Sequence, residues 1–154
     1  NALQIFDSWV GAVNSSEYEQ AIFPHMERII STVKSRFPNL PLAMNGVGTD
    51  HLVSTWAKLP LDVIALDWRS SLGAAKDRGV TQTVQGNLDP AYLYGDTKTI
   101  AKVVDEILMD GVRHGKHVFN LGHGVFPEAD PSKLHWLTDY VHEKSRELWA
   151  RESR

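Results

Sequence analysis

Short apolar runs alternate along the chain with longer stretches whose apolar residues recur at helical spacing. The short runs are Ala2–Phe6, Pro41–Met44, Asp62–Leu66, Thr81–Gln85 and His117–Phe119. Each is apolar or β-branched and each runs into turn-forming residues. These are Asp7-Ser8, Asn45-Gly46, Asp67-Trp68, Gly86-Asn87-Leu88-Asp89-Pro90 and Asn120-Leu121-Gly122-His123. Brief runs of this kind, bounded by turn residues, predict strands of a parallel sheet buried under helices.

Helical patterns fill the intervals. Ile22, Met26, Ile29, Ile30 and Val33 form one stripe, with Pro24 expected in its opening turn, where the missing N–H costs little. Ile100, Val103, Val104, Ile107 and Leu108 form a second, which Asp96 is placed to cap and Gly111 to end. Leu134, Leu137, Val141 and Leu148 mark a third, opened by Asp130-Pro131-Ser132. Two shorter helices are expected over Asp50–Lys58 and Ser70–Arg78.

Five repeats of strand, loop and helix predict an α/β architecture with right-handed crossovers. No GxGxxG follows the first strand and no GxxxxGK[ST] occurs, which removes the best support for a dinucleotide or P-loop fold. An open doubly wound sheet or part of a (β/α)8 TIM barrel remains. A full barrel takes roughly 200 residues or more, so these units amount to about five-eighths of one. The expectation is a single partial-barrel domain over residues 1–154.

Composition narrows the chemistry. With 154 residues and 42% hydrophobic positions, the chain is long enough for one real core. A net charge of −3 suggests no bulk attraction to nucleic acid or to an anionic membrane. The absence of cysteine excludes disulfides and thiolate metal sites, and makes a reducing cytoplasm the natural setting. Apolar runs fall far short of the roughly 18 residues of a membrane span. Asn1-Ala2-Leu3-Gln4-Ile5-Phe6 lacks Met and the basic start of a signal peptide, and reads as a beginning inside a strand.

Polar residues at every strand end predict one shared cleft, because α/β sheets keep their sites at the carboxyl ends of the strands. The competing reading is that Asn, Asp, Gly and Ser are ordinary loop and cap residues. Asp89-Pro90 and Asp130-Pro131 suit that reading, and Asp67 suits a structural ion pair or cap as well as a site. His123, framed by Gly122 and Gly124, is different. The glycines leave room for a ligand, and a histidine donates to carboxylates. The alternative is a histidine satisfying its own loop. His25, His51, His114, His117, His135 and His142 look like surface or helix residues, and none has metal-site spacing. Ser8 has no elbow motif or base nearby, so it suits a hydrogen-bond donor better than a nucleophile.

Several of these segments together carry a resemblance. "QGNLDPAYLYG" (85–95), "NLGHGVFPEADP" (120–131), the closing "VHEKSR", "ALQIFDSWVG" (2–11) and "VIALDW" (63–68) resemble the uroporphyrinogen decarboxylase family. The resemblance implies a (β/α)8 barrel, a cytoplasmic homodimer of the haem pathway, and removal of acetate carboxylates from uroporphyrinogen without metal or organic cofactor. It implies that Ser8 hydrogen-bonds the substrate, that Phe6 and Asp7 lie near the pocket, and that His123 contacts a substrate carboxylate. Asn87 and Asp89 are expected to support the loop that shapes the cleft. The family's N-terminal arginine-rich segment, central aspartate and later tyrosine have no counterpart here. The expectation is therefore a C-terminal portion, inactive alone, with the catalytic aspartate elsewhere. Two other readings stay open. One is a corrinoid-dependent methyltransferase relative, disfavoured because such enzymes hold zinc with His and Cys. The other is a non-catalytic partial barrel that binds a tetrapyrrole or a partner.

Overall fold

The short apolar runs become five parallel strands in a computed structural model, which describes residues 1–152. They are β1 (Leu3–Asp7), β2 (Leu42–Gly46), β3 (Val63–Ala65), β4 (Thr83–Leu88) and β5 (His117–Leu121). Their spatial order equals their sequence order, and every neighbouring pair is parallel. A doubly wound sheet reverses its strand order at a switch point, and this order has no reversal.

The register separates two faces. Ile5, Met44, Ile64 and Val84 pair across the sheet on the face that helices cover. Met44, Ile64 and Val84 are fully buried there, in a cluster with Ile30, Leu52, Val53 and Trp56. Phe6, Asn45, Ala65, Gln85 and Val118 pair along the other face. There Phe6 is 71% and Val118 48% exposed.

Asn14 opens the first helical run, its side chain accepting from the Glu17 N–H at 2.9 Å. The run passes from α1 (Ser15–Glu17) through a π turn (Tyr18–Ile22) into α2 (Phe23–Arg36). Pro24 stands in the opening turn of α2, as expected, although the π turn before it makes the helical path continuous. Proline removes a donor and crowds the carbonyl four residues back, and the wider π turn absorbs both effects. The shorter helix expected over Asp50–Lys58 is a 3-10 turn (Asp50–Leu52) followed by α3 (Val53–Trp56).

α4 (Thr97–His114) is capped as expected by Asp96, which accepts from the Thr99 N–H at 2.8 Å. Gly111 does not end it; the helix continues to His114 and Gly115 is its C-cap. Gly111 stands where the His117 ring crosses the helix. A Cβ there would lie 2.2 Å from His117 Nδ1. α5 (Pro131–Glu152) starts at the Asp130 turn and packs Leu137 and Val141 with Ile100, Val104 and Leu108 of α4.

Two further expectations fail. Thr81–Gln85 is displaced: β4 runs through Gly86-Asn87-Leu88, residues whose local preference is for turns. Tertiary bonds override that preference. The Asn87 amide, 7% exposed, donates to the backbone carbonyls of Asp67 at 2.9 Å and Ser70 at 2.7 Å. Ser70–Arg78 forms no α-helix; beyond a 3-10 turn at Lys76–Arg78 it is an irregular crossing that buries Leu72 and Ala75.

Candidate active site

Because all the strands are parallel, their carboxyl ends and the loops that leave them meet on one rim. A cavity of about 510 Å³ opens there and onto the uncovered face of the sheet. Phe6 and Ser8 from β1 and its loop, and Gly122, His123 and Gly124 from the loop after β5, line it. The first and last strands thus bring Ser8 and His123 into one wall. Asp7 is not among the lining residues. It alternates to the helix-covered side, where its charge adds to the burial that holds the Tyr18 phenol above its ordinary pKa.

The loop after β3 shapes the rim. Asp67 is 2% exposed and structural. Its carboxylate accepts from the Gly48 N–H and, at 3.0 Å, from the Arg69 N–H, which ties the β2 loop to the β3 loop. Next to it Trp68 meets the His123 ring edge to face, with centroids 5.6 Å apart. Arg69 places its guanidinium carbon 4.3 Å from the centroid of the same indole. Gly122 is needed at this junction: a Cβ would lie 2.4 Å from the Trp68 backbone nitrogen. No atom lies within 4 Å of the Cβ position of Gly124. Asn87 and Asp89 act outside the cavity wall. Asn87 bonds the β3 loop, and Asp89 caps the Pro90–Tyr94 turn through the Ala91 N–H at 2.9 Å.

Three of the other histidines bond the backbone. His51, His114 and His117 each place Nε2 2.8 Å from a carbonyl, those of Val13, Gln82 and Gly86 respectively. Burial holds the His117 imidazole below its ordinary pKa, and His114 adds to that effect. Among the described residues no group of three or more His, Cys, Asp or Glu is arranged to hold a metal, and no helix is long and apolar enough to cross a membrane.

Strand-end reasoning named Asn45, which lines the cavity, but missed Gln4, Gln85 and Asn120 on the same uncovered face. Gln4, Asn45, Gln85 and Asn120 come from four different strands and all line the cavity. Their signal was present in the sequence. Interior strands covered on both faces read as continuous apolar runs, and a polar amide in such a run marks a face turned to solvent or ligand. The wall therefore offers neutral donors, one imidazole and one hydroxyl, and among the described residues its lining contains no Asp or Glu.

The family described as uroporphyrinogen decarboxylase (URO-D) matches residues 1–144. Uroporphyrinogen decarboxylases of Staphylococcus aureus strains JH9 and Newman are each 49% identical over 140 residues. The match covers 91% of this chain and 40% of theirs, so the chain spans two fifths of the length of these curated relatives. Among solved structures, a methyltransferase from Methanosarcina mazei superposes with a TM-score of 0.73 over 93% of this chain and 42% of that one, at 16% identity. At that identity the likeness shows the fold alone.

Proposed function

The chain belongs to the uroporphyrinogen decarboxylase family, and from that premise we propose that it is the C-terminal part of a uroporphyrinogen decarboxylase, contributing five βα units to a (β/α)8 barrel. The observation that carries the reading is the meeting of Ser8 and His123 in one cavity at the carboxyl ends of a singly wound parallel sheet. The complete protein is read as a cytoplasmic homodimer that needs no metal or organic cofactor.

The substrate is a polycarboxylate tetrapyrrole, and losing its acetate carboxylates as CO2 gives coproporphyrinogen. A proton adds to the ring carbon next to the one that bears the acetate, leaving a cation delocalised onto the acetate-bearing carbon. The bond to the carboxylate then breaks, its electron pair forms an exocyclic methylene that neutralises the cation, and CO2 departs. Protonation of that methylene with loss of the added ring proton restores the pyrrole, now bearing a methyl group. His123 and Ser8 anchor a carboxylate by hydrogen bonds, which are strongest to charged acceptors. Stabilising the ring cation takes a carboxylate facing the pyrrole nitrogens. The lining described above supplies none, so that group is assigned to the remainder of the protein.

Steady-state kinetics test this reading. In the full-length protein, His123→Ala is expected to lower kcat/KM for uroporphyrinogen by about 10- to 100-fold and Ser8→Ala by about 10-fold, the range of one charge-assisted hydrogen bond. The 154-residue chain alone is expected to form no coproporphyrinogen. Enzyme-like turnover by the chain, or an unaffected kcat/KM in His123→Ala, would overturn the assignment.

A further inference from the structure

We infer that Arg69 is a second carboxylate anchor of this site, holding a substrate carboxylate at the rim beside His123; the inference rests on the decarboxylase reading. Trp68 is flanked by both groups: His123 meets it edge to face at 5.6 Å, and the Arg69 guanidinium lies 4.3 Å from its centroid. On its other side the guanidinium reaches the β2 loop. A Cβ on Gly48 would lie 3.1 Å from Arg69 Nη1, and the preceding residue, Val47, lines the cavity. Arg69 thus lies against the Val47-Gly48 segment and reaches Gly122-His123 through Trp68, just outside the residues that line the cavity.

The side chain is held in place while its donors remain free. The guanidinium lies over the face of the indole, a cation–π contact that holds it there. Its charged partner is the buried Asp67, at 3.9 Å, beyond hydrogen-bond reach. Both Asp67 oxygens already accept from backbone N–H groups, those of Gly48 and Arg69. Among the described residues the guanidinium donates no hydrogen bond, and the side chain is 53% exposed. A planar fork with unspent donors, held over an indole, suits bidentate recognition of a carboxylate. A polycarboxylate substrate needs more cationic contacts than one imidazole provides. Arg69 therefore acts through binding and takes no part in proton transfer.

The test is steady-state kinetics of Arg69→Gln and Arg69→Lys in the full-length protein, as a function of ionic strength. Arg69→Gln is expected to raise KM for uroporphyrinogen about 10- to 100-fold with kcat within about threefold, since it removes binding made equally in ground and transition states. Its kcat/KM is also expected to fall less steeply with salt than that of the wild type. Arg69→Lys keeps the charge but loses the fork, so an intermediate KM is expected. An unchanged KM and salt slope would overturn the inference. So would a loss of kcat together with Tm at constant KM, which is the signature of a structural arginine. If Arg69→Gln does not fold, Arg69→Lys is judged by the same criteria. Wild-type protein without decarboxylase activity would refute the functional reading itself, whereas active wild type with indifferent Arg69 variants would refute this inference alone.

Discussion

His123 and its two glycines show how much of a site is decided residue by residue. In sequence the two glycines are equivalent, each leaving room beside a histidine. In the fold they differ, because Gly122 meets the Trp68 backbone and Gly124 faces open space. Gly122→Ala in the full-length protein is therefore expected to cost about 1–3 kcal/mol of stability through overpacking against backbone. Gly124→Ala is expected to stay within about 0.5 kcal/mol of wild type. Denaturant unfolding of the two variants checks this, and equal costs would refute the distinction. The LGHG motif was legible in the sequence. The identity of the obligatory glycine was not, because its constraint comes from a residue on another strand's loop. Asp67 was likewise ambiguous until its two backbone donors were seen.

Elements were legible where their causes are local. The Asp96 cap and the helices marked by the stripes of α2, α4 and α5 follow from neighbouring residues and form, although Ile29 of the α2 stripe turns outward, 50% exposed. Errors arose where a distant partner decides. Gly111 reads as a helix end, yet it is interior because the His117 ring occupies its Cβ space. A Gly→Ala change inside a helix ordinarily stabilises by up to about 1 kcal/mol. Here the sign is expected to reverse, with Gly111→Ala lowering stability by about 1–3 kcal/mol in thermal or denaturant unfolding. The entry into β2 and β3 carries a pH dependence. Burial pushes the Asp62 carboxyl up, but Lys34, at 2.7 Å, and the Leu42 N–H, also at 2.7 Å, outweigh it and hold the pKa below the ordinary value. A depressed folded pKa contributes stability above the unfolded value of about 3.9 and loses it as pH falls through the folded value. The stability difference between wild type and Asp62→Asn is thus expected to be constant near neutrality and to shrink below about pH 4. With Asp62 partly exposed, the effect should not exceed about 1 kcal/mol. A difference that grows on acidification would contradict the sign.

For the whole molecule, the decisive facts are the uncovered sheet face and the two outer strands, β1 and β5. Phe6 and Val118 stand exposed on that face, and β1 and β5 each present an unpaired edge in the five-stranded sheet. Open edges and bare apolar surface template association. The isolated chain is expected to self-associate, seen as light scattering that rises with concentration, and a monodisperse monomer with a sharp melt would count against a partial barrel. By itself the sequence determined the α/β class, the existence of five strands, the locally capped helices, the family and the prominence of Ser8 and His123. Each of those depends on periodicity, capping or a contiguous motif, which a linear chain carries in full. Only the tertiary structure decided the unreversed strand order, the passage of β4 through Gly86-Asn87-Leu88 and the assembly of Gln4, Asn45, Gln85 and Asn120 into one wall. It also decided the meeting of His123 and Arg69 on one indole. Those arrangements join residues far apart in the chain, and local sequence preference does not encode which distant backbone or ring a side chain meets.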